Sequence, residues 1–163
     1  MRANAVGKSC SEVERAYIAG FLDADGAVMA VIEKHREKRF GFRVRVALKV
    51  TQHDRKILDW IQRKLRAGIV RANRLGDTRQ TFDLHIRDRD DTQQVLVMLL
   101  PHLRVKRKQA EMALQILDCK IESEKDLIRA ARLADALSRF NVRSKNRRKN
   151  FVSKIQEHLS PND

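Results

Sequence analysis

The sequence predicts an α+β domain built in the order α-β-β-α-β-β-α, with further helices towards its C-terminal end. Two stretches carry this most directly. FRVRVALKV (42–50) and QTFDLHI (80–86) alternate polar and apolar residues with the two-residue period of half-buried strands. The stretches around them add a third observation, since they show helical spacing with recognisable start and stop signals. The 163 residues, 42% of them hydrophobic, suffice for one core. A single domain over 1–163 is therefore expected, with a core over about 11–120 and a helical extension over about 121–160.

Ser11 opens S-E-V-E, a capping box in which its hydroxyl takes the amide of Glu14 while Glu14 reaches back. This predicts a helix over about 12–24. Gly26 and the β-branched run AVMAVI predict a strand, and REKR at 36–39 a turn into the next strand. In that strand Arg43, Arg45, Ala47 and Lys49 share one face, and Val44, Val46, Leu48 and Val50 the other. Asp54 caps a second helix with Ile57, Leu58, Ile61 and Leu65 on one side, and Gly68 fits its stop. A second hairpin follows, IVRANR and QTFDLHI around a turn at Leu75-Gly76-Asp77. A third helix over about 90–100 ends before Pro101. Helices over about 107–121 and, capped by Ser123 with Asp126, to about 139 come next, then the cationic NVRSKNRRKN (141–150) and a last amphipathic helix with Phe151, Val152, Ile155 and Leu159.

Lys and Arg number 35 against 21 acids, a formal net charge of +14. That excess fits a polyanionic partner, either nucleic acid or an anionic membrane surface. No apolar run approaches the roughly 18 residues needed to span a bilayer, which weakens the membrane case and favours nucleic acid. The opening MRANAVGKSCSEVE lacks the apolar core of a secretion signal, so an intracellular protein with Cys10 and Cys119 reduced is expected. If the two hairpins join in one sheet with helices on the apolar side, the other face is left in water, lined by Arg43, Arg45, Lys49, Arg71 and Asn73. Such a face suits a polyanion.

The first helix ends in an unusual way. Ala16, Gly20 and Ala24 fall at i, i+4 and i+8 with Ala19 beside them, a small-residue stripe that lets two helices approach closely. The stripe ends at Asp23 and Asp25. Close packing within one domain would suit the stripe, but a dry contact gains nothing from acids at its end. Packing of the helix against its own copy across a two-fold axis would instead bring two DADG ends together. Carboxylates at a helix C-terminus oppose the dipole and call for a cation. Oxygen ligands suit Mg²⁺ rather than zinc, because His35, His53, His85, His102 and His158 show no ligand spacing.

IAGFLDADG (18–26) resembles the LAGLIDADG motif at nearly every position, with Ile18 for the first Leu and Phe21-Leu22 for Leu-Ile. VTQ (50–52), LRVKRKQA (103–110) and the order of elements are similar to the same family, the LAGLIDADG homing endonucleases, over roughly residues 11 to 150. The motif occurs once, which implies the homodimeric branch, similar to enzymes encoded in group I introns. The resemblance implies a LAGLIDADG endonuclease fold with a saddle-shaped antiparallel DNA-binding sheet. It also implies cleavage of both strands of a long pseudo-palindromic duplex to leave short 3′ overhangs.

By the same resemblance Asp25 is the metal ligand, joined by the backbone carbonyl of Ala24, while Asp23 is structural. The metal is Mg²⁺, with Ca²⁺ or Mn²⁺ able to substitute. Gln52 matches a position that orients water, Lys106 the active-site lysine, and Lys56 a more distant cation. Arg43 and Arg45 suit guanine and Asn73 suits adenine. On the first strand, Val31, Glu33 and His35 match the base-facing register, although Val28, Ala30 and Ile32 make the pattern ambiguous. Lys49, Arg71, Thr81 and Asp83 complete the face, and Ser144, Lys145, Arg148 and Lys149 are expected at phosphates. The rival reading is a non-catalytic nucleic-acid-binding protein on the same scaffold, a maturase acting on intron RNA or a repressor. Either role places the chain in a bacterial cytoplasm or an organelle.

Overall fold

A computed structural model describes residues 5–73, 80–141 and 149–160. Helix α1 (Glu12–Asp25) is followed without a loop by β1 (Gly26–Lys34), then β2 (Phe42–Gln52), α2 (Arg55–Leu65), β3 (Ile69–Asn73) and β4 (Thr81–Ile86). Helix α3 (Arg89–Leu99), a 3₁₀ turn (Leu100–His102), α4 (Arg107–Asp118), α5 (Glu124–Asn141) and α6 (Phe151–Leu159) complete the chain. The four strands form one antiparallel sheet in the order β1-β2-β4-β3, so the two hairpins do join, through β2 and β4.

The inner face of the sheet carries Val28, Ala30 and Ile32 of β1, Val46, Leu48 and Val50 of β2, and Leu84 and Ile86 of β4, all buried. Helices cover this face through Leu22, Leu58, Ile61, Leu96 and Ile116, each at most 2% exposed. The C-terminal helices share the same core. Leu127, Ala131, Ala134 and Leu137 of α5 belong to the one hydrophobic cluster that contains the sheet. Asp135, itself buried, accepts from the amides of Phe151 at 2.7 Å and Val152 at 3.1 Å, and so seats the N-terminus of α6 on a negative charge.

Several local signals fold as read. Ser11 and Glu14 form the capping box of α1, with amide-to-side-chain distances of 2.9 and 3.3 Å. Asp54 caps α2 through the amide of Lys56 at 2.8 Å. Ser123 and Asp126 cap each other at the start of α5. The stop of α2 differs: Arg66, not Gly68, holds the left-handed C-cap at φ 53°. Gly68 also has positive φ, at 85°, but it turns the chain into β3, where a Cβ would stand 2.6 Å from the carbonyl oxygen of His85. Cys10 and Cys119 are both free thiols. The turn expected at Leu75-Gly76-Asp77 lies outside the described residues.

Candidate active site and nucleic-acid interface

The end of α1 is built by a close approach. Gly26 leaves the helix directly into β1, and a Cβ there would lie 2.4 Å from Leu22 Cδ1 and 2.6 Å from its carbonyl oxygen. Only glycine lets the strand begin so near the helix. Gly26 pairs with Val50, and continuing that register backwards sets Gln52 beside the last residues of α1. Its amide nitrogen donates to Asp25 Oδ2 at 2.5 Å. Asp23 faces the other way. It accepts from the amides of Arg104 at 2.7 Å and Lys106 at 2.8 Å, and its backbone carbonyl accepts from the Lys106 ammonium. Asp25, Gln52 and Lys106 therefore meet at one helix end. Lys56 stands apart on the exposed first turn of α2, with no described side-chain contact.

This end suits a hard cation. Asp25 is exposed, and among the described residues only Gln52 bonds its carboxylate. The last turn of α1 holds no basic residue to offset the helix dipole. All donors at hand are oxygens, as Mg²⁺ or Ca²⁺ prefers. Among the described residues no group of three or more His, Cys, Asp or Glu side chains converges.

Helix α1 has two apolar faces. Ile18, Ala19 and Leu22 point into the core. Val13 and Tyr17 are 80% and 51% exposed on the opposite face, where Ala16, Gly20 and Ala24 are also open. Ala19 is thus corrected: it belongs to the inner face, fully buried, and cannot line an outward seam. Phe21 and Trp60 meet Tyr17 edge-on at 5.2 and 5.6 Å between ring centroids and flank the open stripe. A helix apolar on both sides needs a cover for its outer side.

Cross-strand pairing fixes the polar face of the sheet. Val31 pairs with Arg45 and Glu33 with Arg43, so both first-strand residues share the face of the arginines, which resolves the ambiguity along β1. His35 lies just beyond β1, its amide donating to the carbonyl of Gly41 at 2.7 Å. Lys49 pairs with His85, Arg71 with Asp83 and Asn73 with Thr81. All the described base-facing candidates therefore lie on one side, with His35 at its far margin. Lys149 is exposed shortly before α6, while Ser144, Lys145 and Arg148 fall outside the described residues.

Two anions organise that face. Arg45 bonds Glu33 at 2.8 Å. Asp83 is 6% exposed and holds Lys49 at 2.8 Å and the Thr51 hydroxyl at 2.6 Å, with His85 Nε2 at 3.5 Å. Sequence reading missed His85, although it continues the alternation of Thr81 and Asp83. Burial of Asp83 raises its pKa, but hydrogen bonds from Lys49 and Thr51 and the charge of Lys49 outweigh it, and the net shift is downward. Burial also lowers the pKa of His85, helped by Arg87 and Lys49 and opposed by Asp83. Both shifts mean that the folded chain binds fewer protons than the unfolded one. Stability is therefore expected to be complete above the ordinary histidine pKa of about 6.5 and to fall below it, first through His85. Asp83 adds to the loss only at lower pH, beneath the ordinary aspartate value of about 3.9. Denaturant midpoints of the wild type and of His85→Asn across this range check the point. The variant should lose the upper part of the fall, and an equal fall in both would remove His85 from the account.

Residues 18–111 match the family model for LAGLIDADG endonucleases, more than half of the chain. The chain belongs to the LAGLIDADG endonuclease family. It is 36% identical to DNA endonuclease I-CvuI of Chlorella vulgaris over 129 residues, 76% of this chain and 77% of that protein. It is 29% identical to DNA endonuclease I-CreI of Chlamydomonas reinhardtii over 104 residues, 63% of this chain and 61% of that protein. The crystal structure of I-CvuI with the I-CreI target and Mg, its DNA uncleaved, superposes with a TM-score of 0.80 at 32% identity, covering 91% of this chain and 93% of that one. I-CvuI has also been crystallised with its own target and Ca. Asp23, Asp25, Gln52 and Lys106 all lie within the stretch that matches the LAGLIDADG family model.

Proposed function

We propose that this chain is a site-specific homing endonuclease that pairs with a second copy of itself and cuts both strands of a long pseudo-palindromic DNA duplex, leaving short 3′ overhangs. The convergence of Asp25, Gln52 and Lys106 at the end of an outward-facing apolar helix, beside a cationic sheet face, carries this reading. A seam along Val13, Ala16, Tyr17, Gly20 and Ala24 would bring two such ends together, one for each DNA strand. Intron encoding and a place in a bacterial cytoplasm or an organelle go with the same reading.

The Asp25 carboxylate and the Ala24 carbonyl are the groups to hold the cation, Mg²⁺ in this reading with Ca²⁺ or Mn²⁺ as substitutes. When bound, it would neutralise charge at the scissile phosphate and acidify an attacking water. Gln52 fixes the Asp25 carboxylate through its amide and leaves its own carbonyl oxygen to orient that water. Lys106, held at the helix end by the Asp23 carbonyl, is placed to stabilise charge on the phosphate oxygens. Lys56 contributes positive charge from farther off.

Cleavage selection from a randomised pseudo-palindromic library with Mg²⁺ tests the function and yields the target. Binding without any cutting, or a preference for intron RNA, would favour a repressor or maturase instead. On the selected target, Arg43→Ala is expected to relax preference at particular base pairs, by about 1–3 kcal/mol for each bidentate hydrogen-bond pair removed. Lys149→Ala should weaken all sequences alike and flatten the salt dependence. Uniform weakening from both would mean that bases are read elsewhere.

A further inference from the structure

Strand β4 pairs with β2 only from Leu48 onwards, so Phe42–Ala47 have a strand partner on the β1 side alone. Beside this open edge lies a cleft of about 600 Å³, bounded opposite by the end of α4 and the loop to α5. Seven cationic side chains and a single acid, Glu122, line it. Three of the cations are committed: Arg39 to the Glu122 carbonyl, Arg45 to Glu33 and Arg89 to the Leu117 carbonyl. Among the described residues Arg87 has only a long contact to His85 Nδ1, at 3.5 Å. Among the described residues, the side chains of Lys38, Arg43 and Lys120 bond no acid.

Free positive charge gathered beside unpaired backbone groups fits a phosphodiester strand. The width of the sheet points the same way. Along 42–47 it is two strands wide, with roughly 5 Å between strands, whereas the major groove is about 12 Å across. A ribbon this narrow, laid in the groove, has a phosphate wall along each side. On the β2 side that wall would run past the open edge. Arg87 carries the alternation of Thr81, Asp83 and His85 one step beyond β4 and lies opposite Ala47 in the extended register.

We infer that this cleft seats the sugar–phosphate backbone of the duplex alongside the outer base pairs read by Arg43, with Arg87 and Lys120 as its principal phosphate contacts. The inference rests on the DNA endonuclease reading and adds to it an anchor that carries no sequence information.

The test compares wild type with Arg87→Ala/Lys120→Ala on the duplex obtained by cleavage selection, in Ca²⁺, over a salt series. Both residues are exposed, so the thermal midpoint should not move. Affinity should fall roughly tenfold, and the slope of log K against log salt should become shallower by about 0.9 for each phosphate no longer neutralised. The loss should be equal for the target and for targets with single base changes. Ethylation of phosphates flanking the outer base pairs should block the wild type and leave the double variant indifferent. Arg132→Ala, on the exposed surface of α5, controls for net charge. An unchanged slope, or a loss no greater than that of Arg132→Ala, overturns the anchor while wild-type cutting still upholds the endonuclease. A wild type that neither binds nor cuts any selected duplex overturns both.

Discussion

Asp25→Asn is expected to abolish cleavage while leaving DNA binding nearly intact. Asparagine keeps the size of aspartate and still accepts the Gln52 amide that lies 2.5 Å from Oδ2. It removes the negative charge at a helix end with no basic residue in its last turn, so the pull on a divalent cation is lost. Single-turnover cutting in Mg²⁺ should fall by several orders of magnitude, because in the proposed mechanism the cation would supply both charge stabilisation and the activated water. Affinity measured by gel shift in Ca²⁺ should change little, since the cationic sheet face is untouched. Asp23→Asn should behave differently. Its carboxylate accepts two backbone amides of the 104–106 stretch, so folding and the placement of Lys106 suffer first. Near wild-type cutting by Asp25→Asn would remove the metal site from this helix end.

The second large effect is expected at Gly20. A Cβ placed there meets no atom within 4 Å, so leucine is compatible with the isolated fold. Between two α1 helices packed on the stripe of Ala16, Gly20 and Ala24, the same leucine overpacks a close backbone approach, by at least roughly 1–3 kcal/mol. Two-fold symmetry makes the clash occur twice. Light scattering should report folded monomers, with helix content unchanged and double-strand cutting lost. A fully active Gly20→Leu dimer would place the seam elsewhere.

Local chemistry explains what could be read in the sequence and what could not. Capping by Ser11, Asp54 and Ser123 involves neighbours in the chain and was visible in it. The face of β1 was not, because Val28, Ala30 and Ile32 alternate with Ala27, Met29 and Val31, apolar on both sides. Only the pairing of Val31 with Arg45 decides it. Ala19 sits among small residues, yet its neighbours Ile18 and Leu22 turn it inward. Asp83 reads as one more polar residue on an open strand face, and its burial arises from Lys49, Thr51 and His85 on two strands. Arg87 lies just past β4, where strand periodicity gives out, and its place beside β2 follows from where that pairing stops.

The ion pairs across the sheet bear on how such a protein could change its target. Arg45, on the polar face of the sheet, is already bonded to Glu33, and Lys49 is bonded to Asp83. If Arg45 reads a guanine as proposed, it must share or surrender its carboxylate partner, and its preference would then depend on Glu33 as much as on itself. A substitution at one member leaves the other an unpaired charge in a new setting. Effects at 33 and 45, and at 49 and 83, should then depart from additivity by the 0.5–3 kcal/mol or so typical of touching residues. Retargeting, by evolution or in the laboratory, would therefore proceed by exchanging pairs. Single substitutions would blur the old preference before any new one emerged, and intermediates of relaxed specificity would lie on most routes from one site to another.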